Sequence, residues 1–293
     1  MPLTTQTAPA SSGAERPRGL VPPHRRLRRR GPRSLSSLQR RHYTQTAWQS
    51  GAVDPVAAEP GCQYLTYEFA IYHINIRGWL SHAAELAGRI QILPNPPSII
   101  TLNETLLDAS THNITIPNFS LVSRRDRDSP GGGIATFAHT SIANQIAHVS
   151  NSPTAERSWH VLHTTTGPLL FCNWYRPPTY DLTAITDFET EWTSLSTHAL
   201  NTLIIGDLNL HHAHWLNSPR TTPDGTYMFR FCRDNGFTQH TPAPTHAAGG
   251  ILDLVITDIS GDINVSIEPV ININDHNPIL CNLRMNTPTR MDY

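Results

Sequence analysis

The chain has no lysine; all 22 of its basic residues are arginine. Gly131-Gly132-Gly133 has neither a lysine nor a helix behind it, so it is not a phosphate-cradling loop. It reads instead as the start of a strand that passes close to another backbone. Cysteine is scarce as well, with Cys62, Cys172, Cys232 and Cys281 far apart in sequence. They form no paired metal-binding spacing, and Cys172 and Cys281 sit in apolar runs. Buried, reduced thiols of an intracellular protein are the expectation. No run is apolar for long enough to span a membrane as a helix.

Charge is sparse and uneven. The net charge of −1 hides a stretch from Arg16 to Arg41 that holds ten arginines, with Glu15 the only acid beside it. That stretch therefore carries about +9, and the rest of the chain about −10. Residues 1–62 are rich in Pro, Ser, Thr, Ala and Arg and show little apolar periodicity, so they are expected to be a disordered arm. Arg25-Arg26-Leu27-Arg28-Arg29-Arg30 suits a nuclear localisation signal or a nucleic-acid arm, which favours a nuclear location. An Arg-rich, Ser-rich, acid-poor start also fits a mitochondrial transit peptide, and a solvated leader with no specific role is the plain alternative.

From residue 63 to 286 the pattern is that of a folded domain, followed by a short tail at 287–293. Strands are expected near 69–76, 98–102, 119–123, 133–138, 159–164, 168–174, 202–206, 251–257, 263–270 and 278–283. Helices are expected at Trp79–Ile92, ended by Pro94, at about Leu182–Leu200 with Asp181 as its cap, and at about 225–235 with Asp224 before it and Gly236 after it. Strands outnumber helices, yet long helices interrupt them. The fold class is α/β, with sheets inside and helices outside.

Polar residues recur where apolar strands end, which is where sheet enzymes gather their sites. Asn75 precedes the turn Arg77-Gly78. Glu104 closes Ile99-Ile100-Thr101-Leu102-Asn103. Tyr175-Arg176-Pro177-Pro178 ends another apolar run. Gly206-Asp207-Leu208-Asn209 follows Leu203-Ile204-Ile205; the two-residue spacing puts Asp207 and Asn209 on one side of the sheet, and Gly206 clears space for a ligand. Asp253 lies within an apolar strand, where an unpaired charge would be costly, so a partner is expected. Asp275-His276 stands just before the last strand. Each has a plainer reading: a strand-ending turn for Asp207 and Asn209, a helix start for Glu104, a salt-bridged core acid for Asp253, a turn for Asp275-His276. His211, His212 and His214 invite a zinc reading but lack a partner at metal spacing, and packing is expected of them. Arg124, Arg125 and Arg127 form a basic loop that either meets DNA phosphates or is solvated.

Taken in order, Asn75, Leu102-Asn103-Glu104-Thr105, Gly206-Asp207-Leu208-Asn209, Leu252-Asp253-Leu254 and Asp275-His276 resemble the motif set of the endonuclease/exonuclease/phosphatase superfamily, which includes deoxyribonuclease I and the apurinic/apyrimidinic endonucleases. Asn75-Ile76-Arg77-Gly78, Tyr175-Arg176-Pro177-Pro178, His211-His212 with Trp215, and Pro244-Thr245-His246 leading to Gly249-Gly250-Ile251-Leu252-Asp253-Leu254 look more like the endonuclease domain of non-LTR (LINE-type) retrotransposons. The resemblance covers roughly residues 66–285. Three positions depart from the pattern: Arg77 stands where repair enzymes carry an acid, Asn274 where Ser is usual, and Leu208 where Phe is common.

The resemblance implies a two-sheet β-sandwich flanked by helices on both sides and a Mg²⁺-dependent DNA endonuclease, with Mn²⁺ as a possible substitute. It implies Glu104, Asn75 and Asp275 as metal ligands, and Asp207, Asn209, His276, Asp253 and Tyr175 as catalytic residues. Arg77, Arg176, Thr245 and His246 would contact DNA. Asp207 would orient or deprotonate water, Asn209 hold a phosphate oxygen, and His276 face the phosphate while Asp253 holds its ring; the Asp207 and His276 roles are open to exchange. Nicking that leaves a 3′-hydroxyl for target-primed reverse transcription is the implied activity, carried out by a monomer on DNA, with no membrane partner and no reverse transcriptase region in this chain. A truncated element copy, a gene fragment or a domesticated domain would each account for that. The other readings are a small-molecule or lipid phosphatase of the same fold and an inactive DNA-binding remnant.

Overall fold

Side chains at every second position of the strands sort into two apolar faces, and this sorting builds the layers. The structure is a computed structural model and describes residues 67–128, 131–179, 182–270 and 275–285. All of them fall within one unit. The expected arm and tail, Cys62, Asp181 and Asn274 lie outside the described residues.

Among the described residues, twelve strands form two six-stranded sheets. The first has the order β11 (Asp262–Ile267), β12 (Ile279–Met285), β1 (Tyr67–Asn75), β2 (Ile99–Asn103), β4 (Ile134–His139), β3 (Phe119–Arg125). The second has the order β5 (Ile146–Asn151), β6 (Glu156–Thr164), β7 (Gly167–Tyr175), β8 (Asn201–Asp207), β10 (Asp253–Thr257), β9 (Thr238–Gln239). Among the described residues, only β1 with β2 and β7 with β8 run parallel. Each of those pairs is joined by a helix, α1 (Trp79–Ile92) and α2 (Thr183–Leu195) respectively, as a parallel crossover requires. A third helix, α3 (Pro223–Asn235), follows β8.

The inner faces meet through Phe69 and Ile71 of β1, Leu169 and Phe171 of β7, Leu203 and Ile205 of β8, Val255 of β10, and Ile279, Cys281 and Leu283 of β12. On the outer face of the first sheet, Tyr72, Ile74, Ile100, Leu102 and Phe137 pack on Trp79, Leu86 and Ile90 of α1. On the outer face of the second, Trp159, Leu170, Cys172, Trp174 and Ile204 pack on Ile185, Phe188 and Trp192 of α2 and on Met228, Phe231 and Cys232 of α3. This is the expected two-sheet α/β sandwich. Cys172, Cys232 and Cys281 are free and buried. No helix among the described residues is long and apolar enough to cross a membrane.

Several boundaries move for local reasons. The helix ahead of Gly236 starts at Pro223, because Thr222 accepts a bond from Gly225 N and Pro suits the first helical position. Asp224 lies inside that first turn. Asp253 opens β10 instead of lying within it. The strand β5, with His148, Val149 and Ser150 in its middle, lacks the apolar alternation that would betray it, since it is an edge strand. Gly206 clears protein, not a ligand: a Cβ there would run into the Trp174 carbonyl of the neighbouring strand.

Candidate active site

Toward one end of the sandwich the inner faces turn from apolar to polar. On β1 the series runs Phe69, Ile71, His73, Asn75; on β2, Ile99, Thr101, Asn103; on β7, Leu169, Phe171, Asn173, Tyr175; on β8, Leu203, Ile205, Asp207. Register brings these ends level, with Asn75 beside Asn103 and Asp207 opposite Asp253. A buried polar group without a partner is costly, and here most partners come from the opposite sheet. Asn103 Nδ2 donates to Asn173 Oδ1 at 2.9 Å, and Asp207 N donates to Asn103 Oδ1 at 2.7 Å. His73 bonds Thr101 Oγ1 at 3.0 Å and Asp253 Oδ1 at 3.3 Å. His73, Asn103 and Asn173 were missed in the sequence. Their signal was there: His73 lies two residues before Asn75, and Asn173 two before Tyr175.

Above this floor the functional side chains join in one chain of contacts. Asn75 Nδ2 donates to Glu104 Oε1 at 3.0 Å and to Asp207 Oδ2 at 2.9 Å. The Tyr175 hydroxyl donates to Glu104 Oε1 at 2.8 Å. His276 Nδ1 donates to Asp253 Oδ2 at 2.8 Å, and its Nε2 lies 3.9 Å from Asp207 Oδ2. Asp253, the acid that needed a partner, therefore has two imidazoles. Arg77, Glu104 and Asn209 hold left-handed backbone with φ of 50°, 50° and 47°. Such geometry costs a non-glycine residue about 1–2 kcal/mol and gathers where function demands it.

The electrostatics separate the two sides of the site. Burial pushes the Asp207 carboxyl up, to about 7; the Asp253 charge adds to this, while His276 and the Asn75 amide oppose it. Burial also acts to raise Asp253, but the His276 charge and the bonds from His276 and His73 outweigh it and hold this carboxyl below its ordinary value. Burial would lower His276, yet Asp253, Asp207 and Asp275 raise it to about 9, so the ring is an imidazolium at neutral pH. Burial and the neighbouring Glu104 raise Tyr175, which stays a neutral phenol.

The candidate DNA contacts divide. Arg77 is about half exposed, with its guanidinium 2.6 Å from Asp275 Oδ2. His246 sits edge-on to His276 with ring centres 4.8 Å apart, and its Nε2 is 3.4 Å from Asp275. Arg176 and Thr245, by contrast, are buried. Arg176 is paired with Asp224, both 2% exposed. Thr245 is fully buried, and its Oγ1 accepts from Leu252 N and Asp253 N. Asn209 lies beyond the end of β8, so strand alternation does not place it. Its Nδ2 donates to Arg176 O at 2.8 Å. Of the three clustered histidines, His211 and His212 bond Ser218 and Trp215 N, in line with packing. Arg124 is paired with Asp126, and Arg127 with Glu156.

The oxygens suit a hard cation. Asp275 Oδ1 is buried with no hydrogen-bond partner, and Glu104 presents a carboxylate beside Asn75. Ligand atoms of Asp207, Asp253 and His276 lie within 4.8 Å of one another, as do those of His246, Asp275 and His276. Residues are thus present that could hold a metal ion.

The two-sheet fold is shared with solved structures of nuclease domains. The Endonuclease-reverse transcriptase family matches the chain over residues 169–280. The endonuclease domain of TRAS1, a telomere-specific non-LTR retrotransposon, is similar in structure with a TM-score of 0.58 at 12% identity, over 75% of this chain and 99% of that one. An AP endonuclease, LMAP, from Leishmania major gives 0.59 at 13% identity, over 75% and 88%. The 3′ phosphatase NExo from Neisseria, bound to product DNA hairpin, gives 0.51 at 13%, over 73% and 98%. At these identities the likeness is one of fold. No curated protein sequence matches the chain.

Proposed function

We propose that this protein is a DNA endonuclease that hydrolyses one strand by water attack on phosphorus, releasing a 3′-hydroxyl and a 5′-phosphate. The observation that carries the reading is the unbroken series of contacts from Tyr175 through Glu104, Asn75, Asp207 and His276 to Asp253. Asp207, with its pKa near neutrality, orients the water and takes its proton. The His276 imidazolium, held by Asp253, lies against the phosphate oxygens and offsets the charge that grows on them. Tyr175 contributes a neutral hydroxyl at the same phosphate, and Asn209 an amide. Glu104, Asn75 and Asp275 would hold Mg²⁺, which supplies neutralisation of phosphate charge when bound. Arg77 and His246, at the rim, meet the DNA backbone. The likeness to the TRAS1 domain and the Endonuclease-reverse transcriptase match favour a retrotransposon setting; within it we read the activity as nicking for target-primed reverse transcription, and the Arg-rich stretch at Arg25–Arg30 as favouring the nucleus.

Plasmid relaxation tests the reading. The full chain converts supercoiled plasmid to nicked circles in Mg²⁺, and EDTA stops it. Glu104→Gln and His276→Ala each reduce the rate at least about 100-fold, the usual scale for losing such a group. Nicking at the parental rate by either folded variant would refute the assignment.

A further inference from the structure

Arg176 is buried, and its backbone N–H, its carbonyl and its Nη1 all bond to the turn that carries Asp207. Its Nη1 donates to the carbonyls of Leu208 at 3.2 Å and Asn209 at 3.4 Å. Its Nη2 donates to Thr179 O at 2.9 Å and to the Asp224 carboxylate. The main chain repeats the pattern: Arg176 N donates to Asp207 O at 2.8 Å, and Asn209 Nδ2 returns a bond to Arg176 O at 2.8 Å. Asp224 is itself fixed in the first turn of α3, where Gly225 N donates to its Oδ1 at 3.0 Å and the helix dipole favours a carboxylate. The Arg176 guanidinium, 2% exposed like its partner Asp224, is thus spent on two backbone carbonyls of the turn, Leu208 and Asn209, and on one loop carbonyl, Thr179.

We infer that the Arg176–Asp224 pair is a positioning clamp: it sets the turn Asp207–Asn209, and so the direction of the Asp207 carboxylate, by tying that turn to the end of β7 and the start of α3. The inference rests on the proposed nuclease reading for its effect on rate. Asn209 holds left-handed backbone, φ 47°, inside the turn that the clamp ties down. A planar guanidinium can reach several acceptors in fixed directions at once, which an ammonium cannot.

A buried ion pair often gives way to apolar residues of similar volume without loss of stability, whereas removing one partner strands the other charge. The test exploits this. Arg176→Met should lower the melting temperature, and Arg176→Met with Asp224→Leu should restore it. The rate constant for plasmid nicking should stay at least tenfold below the parent in both, with KM for plasmid unchanged. Arg176→Lys keeps the charge opposite Asp224 and should fold, but it should show the same loss in kcat. A second readout does not depend on catalysis: the Leu208 amide, bonded to Leu252 O at 2.9 Å, should exchange its hydrogen at least tenfold faster in the double variant and in Arg176→Lys, while Ile204, inside β8, is unchanged. Parental kcat together with parental Leu208 exchange in either variant overturns the clamp. If the parent itself does not nick, the nuclease reading fails, and the exchange measurement alone decides the clamp.

Discussion

Single residues in the site are set against one another by charge, and pH should expose this. Asp207 must be ionised to accept a proton, so the rate rises as pH climbs through about 7, a limb that a bound cation would draw lower. His276 must keep its proton to face the phosphate, so the rate falls as pH passes about 9. A bell-shaped kcat/KM profile for plasmid or for a small diester should therefore appear, and His276→Ala should lose the alkaline limb along with most of the rate. A parent profile that stays flat from pH 6 to 10 would contradict both roles. The same scale shows what a sequence reveals. Asp253 advertised itself as an acid beside apolar residues, and a partner could be inferred, but not that there would be two imidazoles. Arg176 entered as a DNA contact by resemblance alone, and its burial against Asp224 comes from tertiary packing that the sequence does not display.

At the scale of elements, helices and strand ends were legible because their signals are local. Pro94 stops α1, with Leu93 in extended backbone before it, and Gly236 takes left-handed backbone after α3. Strand β5 was not legible, because an edge strand can be polar on both faces and owes its place to pairing with β6. The two-residue β9 carries too little pattern to be seen. Packing between elements can be tested at Phe188 of α2. Its ring stacks on Trp174 at 4.9 Å and Trp159 at 5.7 Å and meets Phe231 edge-on at 5.2 Å. Phe188→Ala should cost about 3–5 kcal/mol in urea unfolding, the range for emptying a buried aromatic site. A loss below about 1 kcal/mol would mean that α2 is not seated as described.

For the whole molecule, the buried charges make stability depend on pH in two directions. The pKa of His276 is raised in the fold, to about 9, so its contribution is fully present below its ordinary value of 6.5 and is lost as pH rises through 9. That of Asp253 is lowered, so its contribution is present above its ordinary value of 3.8 and fades as pH falls below that. Melting temperatures between pH 6 and 9.5 should therefore fall more steeply for the parent than for His276→Ala; parallel curves would deny the pairing. The pairing of β12 with β1 has a further result for synthesis. Ile279–Met285 lies between β11 and β1, so the first sheet to be translated lacks an inner strand until almost the last residue described here has emerged. A chain ended between Ile267 and Asp275 would leave β1 and β11 as open edges and would lack His276, and it would be prone to aggregate.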